Sequence, residues 1–300
     1  MSAESQPLAA LAEQLMGRVS AGCASVAALR LPDGGHRAAT LWQPDVLIAS
    51  EQSLPEHEAF EVIGADGQMA AAKLVGRDAG TNIAVLRLEK SSAAAAPAAM
   101  PARLGMLVIA LGCDMRGACS VRVGVVNAVG PEWRSLRGGR LDARVQLDLR
   151  LAPSEEGGPV FDTSGAWLGF STFGPRGQIL LIPAATVERV APVLIERGHV
   201  PRGWLGVSLR PVQVPDELRQ AAGGAVGLMV MSLSEGGPAA EAGVVAGDII
   251  VSIDGRSPAG IRGLAAQLGG ESIGRRSVLQ VIRGGSVMTL QVSISERPAG

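Results

Sequence analysis

The property that most limits how this chain can fold is its punctuation. Short apolar runs recur through residues 21–185, set among glycine, proline and aspartate turn residues. Val46-Leu47-Ile48-Ala49, Ile83 to Leu88, Leu107 to Leu111 and Ile179 to Ile182 are the clearest. Such runs are too short for core helices, and turn residues at regular spacing favour a barrel or sandwich over an α/β fold. The composition agrees, with 40 Gly and 18 Pro against 4 Phe, 4 Trp and no Tyr.

Taken in order, Pro7 to Val19 places Leu8, Leu11, Leu15 and Met16 at helical spacing and leads into a first strand, Cys23 to Leu31. Strands at Leu41-Trp42 and Val46 to Ala49 flank Pro44-Asp45; Val62 to Gly64 and Ala70 to Val75 flank the Asp66-Gly67 turn. Ser91 to Pro101 is small, uncharged and proline-punctuated, and reads as the connection between two β-barrel lobes. Strands restart at Leu107 and at Val121 to Val129. Arg134 to Arg140 is a basic loop read as solvated surface. Ala184 to Arg197 carries Val187, Val190, Val193 and Leu194 at helical spacing, with Gly198 suited to end the helix.

Apolar residues make up 47 % of the 300 and charged residues 18 %, a globular balance with room for two or three cores. A net charge of -1 argues against a nucleic-acid or membrane-surface partner, and scarce aromatics argue against base stacking. No apolar run approaches the ~20 residues that span a bilayer. Met1-Ser2-Ala3-Glu4-Ser5-Gln6 shows no basic region followed by an apolar core. The expectation is a cytoplasmic protein, with the periplasm the less favoured place. Cys23, Cys113 and Cys119 are odd in number and lack metal-ligand spacing. They read as small buried apolar residues in a reducing compartment, with a Cys113–Cys119 bridge as the alternative. Nothing calls for a cofactor. Glu155 and Glu156 with Glu51 or His57 make a poor metal set, because solvated loop carboxylates are the commoner case.

One loop carries more chemistry than the rest: Pro153-Ser154-Glu155-Glu156-Gly157-Gly158-Pro159, between an alternating strand and an apolar strand-turn-strand. It resembles the nucleophile loop of the trypsin-like HtrA/Deg protease family, Gly-Asn-Ser-Gly-Gly-Pro, with Glu156 where the serine stands. Further on come Trp204-Leu205-Gly206-Val207, Pro238-Ala239-Ala240-Glu241-Ala242-Gly243, Gly247-Asp248-Ile249-Ile250 and Asp254-Gly255. This ordered set is similar to the PDZ domain appended to those proteases. The resemblance implies a mainly β, two-lobed chymotrypsin-like double barrel followed by an α+β PDZ domain. The implied division is an N-terminal helix over 1–20, a protease-type domain over 21–198 with lobes near 21–90 and 102–185, a linker over 199–203, and the PDZ domain over 204–297.

A trypsin-like site needs a base, a carboxylate that fixes the base's tautomer, and an attacking serine. The stretch Leu47-Ile48-Ala49-Ser50-Glu51-Gln52 puts Gln52 at the family's histidine, and an amide cannot be a general base. Gly76-Arg77-Asp78-Ala79-Gly80-Thr81-Asn82-Ile83-Ala84-Val85-Leu86 puts Asn82 at the aspartate. Glu156 completes the replaced set. His36, His57, His199, Ser154 and Ser171 do not stand at the required positions. The resemblance read residue by residue therefore implies no enzyme, but a pseudoprotease. Gln52, Asn82 and Glu156 are expected to form a static cluster in which Glu156 accepts from the backbone N–H groups of the former oxyanion hole.

What remains is capture of peptide. The resemblance implies that Trp204, Leu205, Gly206 and Val207 hold a terminal carboxylate on backbone N–H groups. Ile261, Leu264, Ala265 and Leu268 of a helix would form the facing wall. The expected function is a peptide- or protein-binding scaffold for C-termini, or a non-catalytic subunit of a larger assembly. The alternatives are an active serine-type endopeptidase with a rearranged site, and a chaperone-like holdase. Family trimers form through the N-terminal part, commonly with aromatic help; residues 1–30 contain no aromatic residue, which speaks against a homotrimer here.

Overall fold

The computed structural model describes residues 5–90, 96–135, 137–258 and 260–298, without the side chains of 5–11. Five residues of the expected inter-lobe connection, 91–95, lie outside the described ones, as do the side chains of Leu8 and Leu11. The chain divides into two compact units, Met1–His199 and Val200–Gly300.

The first unit holds two closed six-stranded barrels. Helix α1 (Ser5–Cys23) precedes β1 (Val26–Arg30), β2 (His36–Gln43), β3 (Val46–Ser50), β4 (Ala59–Gly64), β5 (Met69–Asp78) and β6 (Ile83–Leu88). These close in the order β1-β2-β3-β6-β5-β4, every pair antiparallel. The second barrel uses β7 (Leu107–Cys113), β8 (Cys119–Gly130), β9 (Arg144–Asp148), β10 (Pro159–Asp162), β11 (Trp167–Phe173) and β12 (Ile179–Pro183), in the order β9-β12-β11-β10-β7-β8. Closure leaves no unpaired edge in either barrel.

Few aromatics are available, so the barrels are filled by leucine, valine, isoleucine and alanine. Leu29, Leu41, Leu47, Phe60 and Leu86 fill the first; Val108, Val126, Leu147, Leu168 and Leu181 fill the second. Each such side chain contributes roughly 1.5–3 kcal/mol when fully buried. β3 is buried along its whole length, so its run is continuously apolar rather than alternating. Helix α2 (Ala184–Arg197) spans both barrels, packing on β5 and β6 and on β11 and β12. Its buried stripe is Val187, Val190, Ala191 and Leu194, and Gly198 ends it with φ 76° and an N–H bond to Leu194 O at 2.9 Å.

Two of the three cysteines overturn their sequence reading. The first strand starts at Val26, and Cys23 instead closes α1, where it forms a disulfide with Cys119 at the head of β8. The bridge closes a separation of 96 residues. Cys113 is free and buried, and burial pushes its thiol up to about 11, with the neighbouring Asp114 charge adding to the rise. Spacing could not reveal the pairing, because a bridge depends on where the ends of α1 and β8 meet.

The second unit is a five-stranded antiparallel sheet. Strands β13 (Val207–Gln213), β14 (Val226–Leu233), β15 (Ile249–Ile253), β16 (Arg276–Arg283) and β17 (Ser286–Ser293) lie in that order. Helix α3 (Ile261–Gln267) adjoins β13. The core gathers Leu205, Leu228, Val230, Ile250, Leu264, Leu279 and Val281. Asp248 is buried and ties two elements together through Arg283, at 2.7 Å to each carboxylate oxygen. No helix among the described residues is long and apolar enough to cross a membrane.

Candidate functional site: a polar cluster between two barrels and an open sheet edge

Three local devices bring Gln52, Asn82 and Glu156 together. The end of β3 runs into a single 3-10 turn, Glu51–Ser53, which carries Gln52. Asn82 sits just before β6 at φ 59°, a left-handed conformation that asparagine tolerates. Asp78 fixes that turn, because its buried carboxylate accepts from Thr81 Oγ1 at 2.7 Å, Thr81 N at 3.0 Å and Gly80 N at 3.2 Å. Glu156 follows the 3-10 turn Pro153–Glu155. Gly157 takes φ 94°, and a Cβ on Gly158 would stand 1.9 Å from Leu111 O, so the glycine pair lets this loop press against β7.

Glu156 is the hub. Its Oε1 accepts from Gln52 Nε2 at 2.7 Å, Thr172 Oγ1 at 2.7 Å, Ser50 Oγ at 2.9 Å and Phe173 N at 3.3 Å. Thr172 Oγ1 in turn accepts from Gln52 Nε2 and from Asn82 Nδ2, both at 2.9 Å. Asn82 Nδ2 also donates to Ser50 Oγ at 3.0 Å, and its Oδ1 accepts the Gln52 backbone N–H at 2.8 Å. Ser50 and Thr172 are sealed from solvent while Gln52 is exposed, so the cluster lies just below the surface.

Gln52, Asn82 and Glu156 thus do come together as expected, but the expected backbone donors to Glu156 do not reach it. The Glu156 N–H turns back to Pro153 O at 3.4 Å, and the Gly157 N–H goes to Ser171 O at 2.9 Å. Side chains of Ser50, Gln52 and Thr172, with the Phe173 N–H, supply the bonds instead. Sequence reasoning missed Ser50 and Thr172. Ser50 was legible as the end of β3, two residues before Gln52, but Thr172 becomes a neighbour only when the second barrel closes.

The neighbouring carboxylates are paired with arginines. Glu51 takes Arg77 Nη2 at 2.7 Å, and Arg137 of the basic loop lies 3.8 Å from it, so that loop is not purely solvated. Glu155 takes Arg122 at 3.0 Å, Ser120 Oγ at 2.7 Å and the Ala152 N–H at 2.8 Å. Burial pushes the Glu155 carboxyl up. The bonds from Arg122, Ala152 and Ser120, with the Arg122 charge, more than offset this and leave it below the ordinary carboxylate range. His57 is exposed with its ring 6.5 Å from that of Phe60, His36 begins β2, and His199 lies against Arg197 O at 3.1 Å; none bonds to the cluster.

In the second unit, β13 pairs only with β14 among the described residues, so its other edge, at the end of the sheet, is unpaired by them. Gly206 precedes it at φ 73°. The carbonyls of Leu205 and Gly206 accept from Ala239 N at 2.9 Å and Ser234 N at 2.8 Å, while their own N–H groups donate to no described residue. Trp204 pairs with Ser295. The expected wall residues divide. Ile261 is exposed and Ala265 half-buried, but Leu264 and Leu268 turn into the core with Leu205. Helical spacing marks an apolar face without saying whether a groove or a core receives it.

Comparison with known proteins extends over both units. Residues 20–170 match the trypsin-like peptidase domain and residues 203–294 the PDZ domain. The chain is 30% identical over 262 residues to a protein of Brucella suis biovar 1 named "Probable periplasmic serine endoprotease DegP-like", covering 84% of this chain and 50% of that one. It is 33% identical over 265 residues to a protein of the same name from Bartonella henselae, covering 84% and 51%. The chain therefore spans about half the length of these relatives. Among solved structures, an HtrA-type protease AlgW with a decapeptide aligns at TM-score 0.75 and 24% identity, over 95% of this chain and 99% of that one. A serine endoprotease from Yersinia pestis aligns at TM-score 0.75 and 22% identity, over 95% and 98%.

These findings correct two expectations. The reading of the chain as a non-enzyme does not stand, since its relatives are named serine endoproteases. The cytoplasmic location does not stand either, since the same relatives are named periplasmic. The Cys23–Cys119 bridge agrees with the second correction, because disulfides persist in oxidising compartments such as the periplasm.

Proposed function

Because the chain belongs to the trypsin-like peptidases, in their HtrA/DegP branch with a PDZ domain, we propose that it is a periplasmic serine-type endopeptidase with a rearranged site, fed by peptide capture at the PDZ domain. The observation that carries this reading is likeness to named serine endoproteases through both domains, not one alone. Residues 21–198 form the part that acts on the chain, and residues 204–297 the part that holds its end.

The chemistry differs from a histidine-based triad. Gln52 has no basic lone pair to offer at neutral pH, so the base in contact with a hydroxyl is Glu156. The hydroxyls it touches are Ser50 and Thr172, each donating to Oε1. In this scheme the hydroxyl oxygen attacks the peptide carbonyl and its proton passes to Oε1, which hands it to the amine as the C–N bond breaks; water then attacks the ester left on the hydroxyl, its proton passing through Oε1 to the departing hydroxyl oxygen. Both hydroxyls are sealed, so the exposed Gln52 amide has to swing aside before a carbonyl can approach. Capture needs less rearrangement. The unpaired edge of β13 can take an extended peptide as an added strand, and the unspent N–H groups of Leu205 and Gly206 can take its terminal carboxylate.

The test is turnover of unfolded casein by the purified chain, with fluorophosphonate labelling and mapping of the labelled residue. Turnover that falls at least a hundredfold in both Ser50→Ala and Glu156→Gln supports the scheme. Turnover that survives both moves the chemistry elsewhere in the domain, and no turnover by the wild-type chain overturns the hydrolytic reading. Binding of a peptide with a free C-terminus, measured alongside, tests the capture step separately.

A further inference from the structure

Glu156 is 6% exposed, yet the described residues engage only one of its two oxygens. Oε1 collects four donors. Oε2 has no hydrogen-bond partner and no ion-pair partner among the described residues. The sealed, partnerless side-chain atoms of the described residues are Arg37 Nε, Trp167 Nε1 and Arg189 Nε. Oε2 is not one of them, so it is not completely sealed from solvent. On the neighbouring amide, Gln52 Oε1 also accepts no bond from a described residue, while Gln52 Nε2 holds Glu156.

The two acidic neighbours are built differently. Glu51 is buried against Arg77, and Glu155 is buried against Arg122. A largely buried carboxylate without a cation is costly, because the interior solvates charge poorly. The four donors orient Glu156 but bring no positive charge, since Gln52, Ser50, Thr172 and the Phe173 amide are all neutral. A metal ion would need more ligands, and the described residues contain no group of three or more His, Cys, Asp or Glu placed to share one.

We propose that Glu156 Oε2 and Gln52 Oε1 form a subsite for the cationic side chain of a bound polypeptide, a lysine ammonium or an arginine guanidinium. The inference rests on the reading that extended polypeptide enters this cleft, but not on hydrolysis there. An ammonium brings three donors and the missing charge, and meets two open acceptors at the surface of an otherwise satisfied cluster. The charge-assisted bond confers preference for basic residues in the segment beside the cluster.

Two capped pentapeptides test this on the full chain: Ac-Ala-Ala-Lys-Ala-Ala-amide and its norleucine counterpart. The amide end removes the carboxylate that the PDZ domain would hold, and because the two peptides differ in one side chain, the part of their calorimetric difference that Glu156→Gln removes reports on the cleft. The lysine peptide is expected to bind roughly tenfold tighter, as one charge-assisted bond predicts. That preference should shrink as salt is raised and vanish in Glu156→Gln. The calorimetric transition of the first domain, which holds Glu156, should stay where it is in the wild type, which certifies that the barrels are folded in the variant. Equal binding of the two capped peptides by the wild type, no binding of either, or a lysine preference that persists in a folded Glu156→Gln would overturn the proposal. The wild-type comparison needs no variant, so it decides even if the substitution unfolds the domain. Casein turnover without lysine preference sinks this inference alone; lysine preference without turnover sinks only the hydrolytic reading.

Discussion

The barrel cleft and the PDZ edge are opposite solutions to the placing of polar groups. In the cleft, Ser50, Gln52, Asn82 and Thr172 spend their donors on one another and on Glu156. At the edge of β13, backbone groups and the N–H pair of Leu205 and Gly206 remain unspent. The frames differ as well. The cleft is held by closed barrels, a disulfide and the arginine-clamped Glu51 and Glu155, whereas the sheet of the second unit holds no cysteine. A satisfied cluster has to be rearranged before it can do chemistry, while an open edge binds as it stands.

The contrast can be broken most forcefully at the bridge. Cys23→Ser with Cys119→Ser should cost the first domain about 2–5 kcal/mol and leave the PDZ transition where it was, as read by calorimetry. Equal movement of both transitions would show that the domains do not differ in how they are held. Gly158→Ala comes next. A Cβ 1.9 Å from Leu111 O forces the loop off β7, for a loss of about 3 kcal/mol in urea unfolding. On the open side, Gly206→Val puts a branched side chain at φ 73°, with its Cβ 3.1 Å from Gly237 Cα. Fluorescence anisotropy should then show at least a roughly tenfold weaker grip on a peptide with a free C-terminus, with casein turnover affected far less.

Acid should produce the smallest difference. Burial pushes the carboxyls of Glu155 and Asp248 up, but bonds from Arg122 and from Arg283, with their charges, bring both below the ordinary range. A carboxylate lowered in the folded state adds stability above its unfolded value, near pH 4, and loses it as pH falls through the folded one. Urea midpoints followed from about pH 5 to about pH 2 should therefore fall for both domains. A fall confined to one domain would assign acid lability to a single clamp.

Much of the scaffold was readable from residue order. The strand Ile83–Leu88, the strand Ile179–Pro183 and the helix Ala184–Arg197 lie where apolar period and turn residues place them. The loop around Glu156 and the stretch leading to Asn82 were readable through their motif resemblance to the HtrA/Deg family, and the bonds of Asp78 to Thr81 show how adjacent residues fix the second of them. Partners that meet across closure were not. Thr172 lies 90 positions from Asn82 and 120 from Gln52, and Cys23 lies 96 from Cys119.

Sequence by itself determined the strand-rich character through its short runs and turns, the double-barrel and PDZ architecture through motifs that resemble the HtrA/Deg family, and the identities of the groups at the cleft. Backbone period and turn preference are local, and side-chain chemistry travels with the residue. Only the folded chain decided which cysteines joined, that Leu264 and Leu268 faced a core rather than a groove, and that one oxygen of Glu156 was saturated while the other stayed open. Those outcomes depend on distances between segments far apart in the chain, and such distances exist only once both barrels and the sheet have closed around their cores.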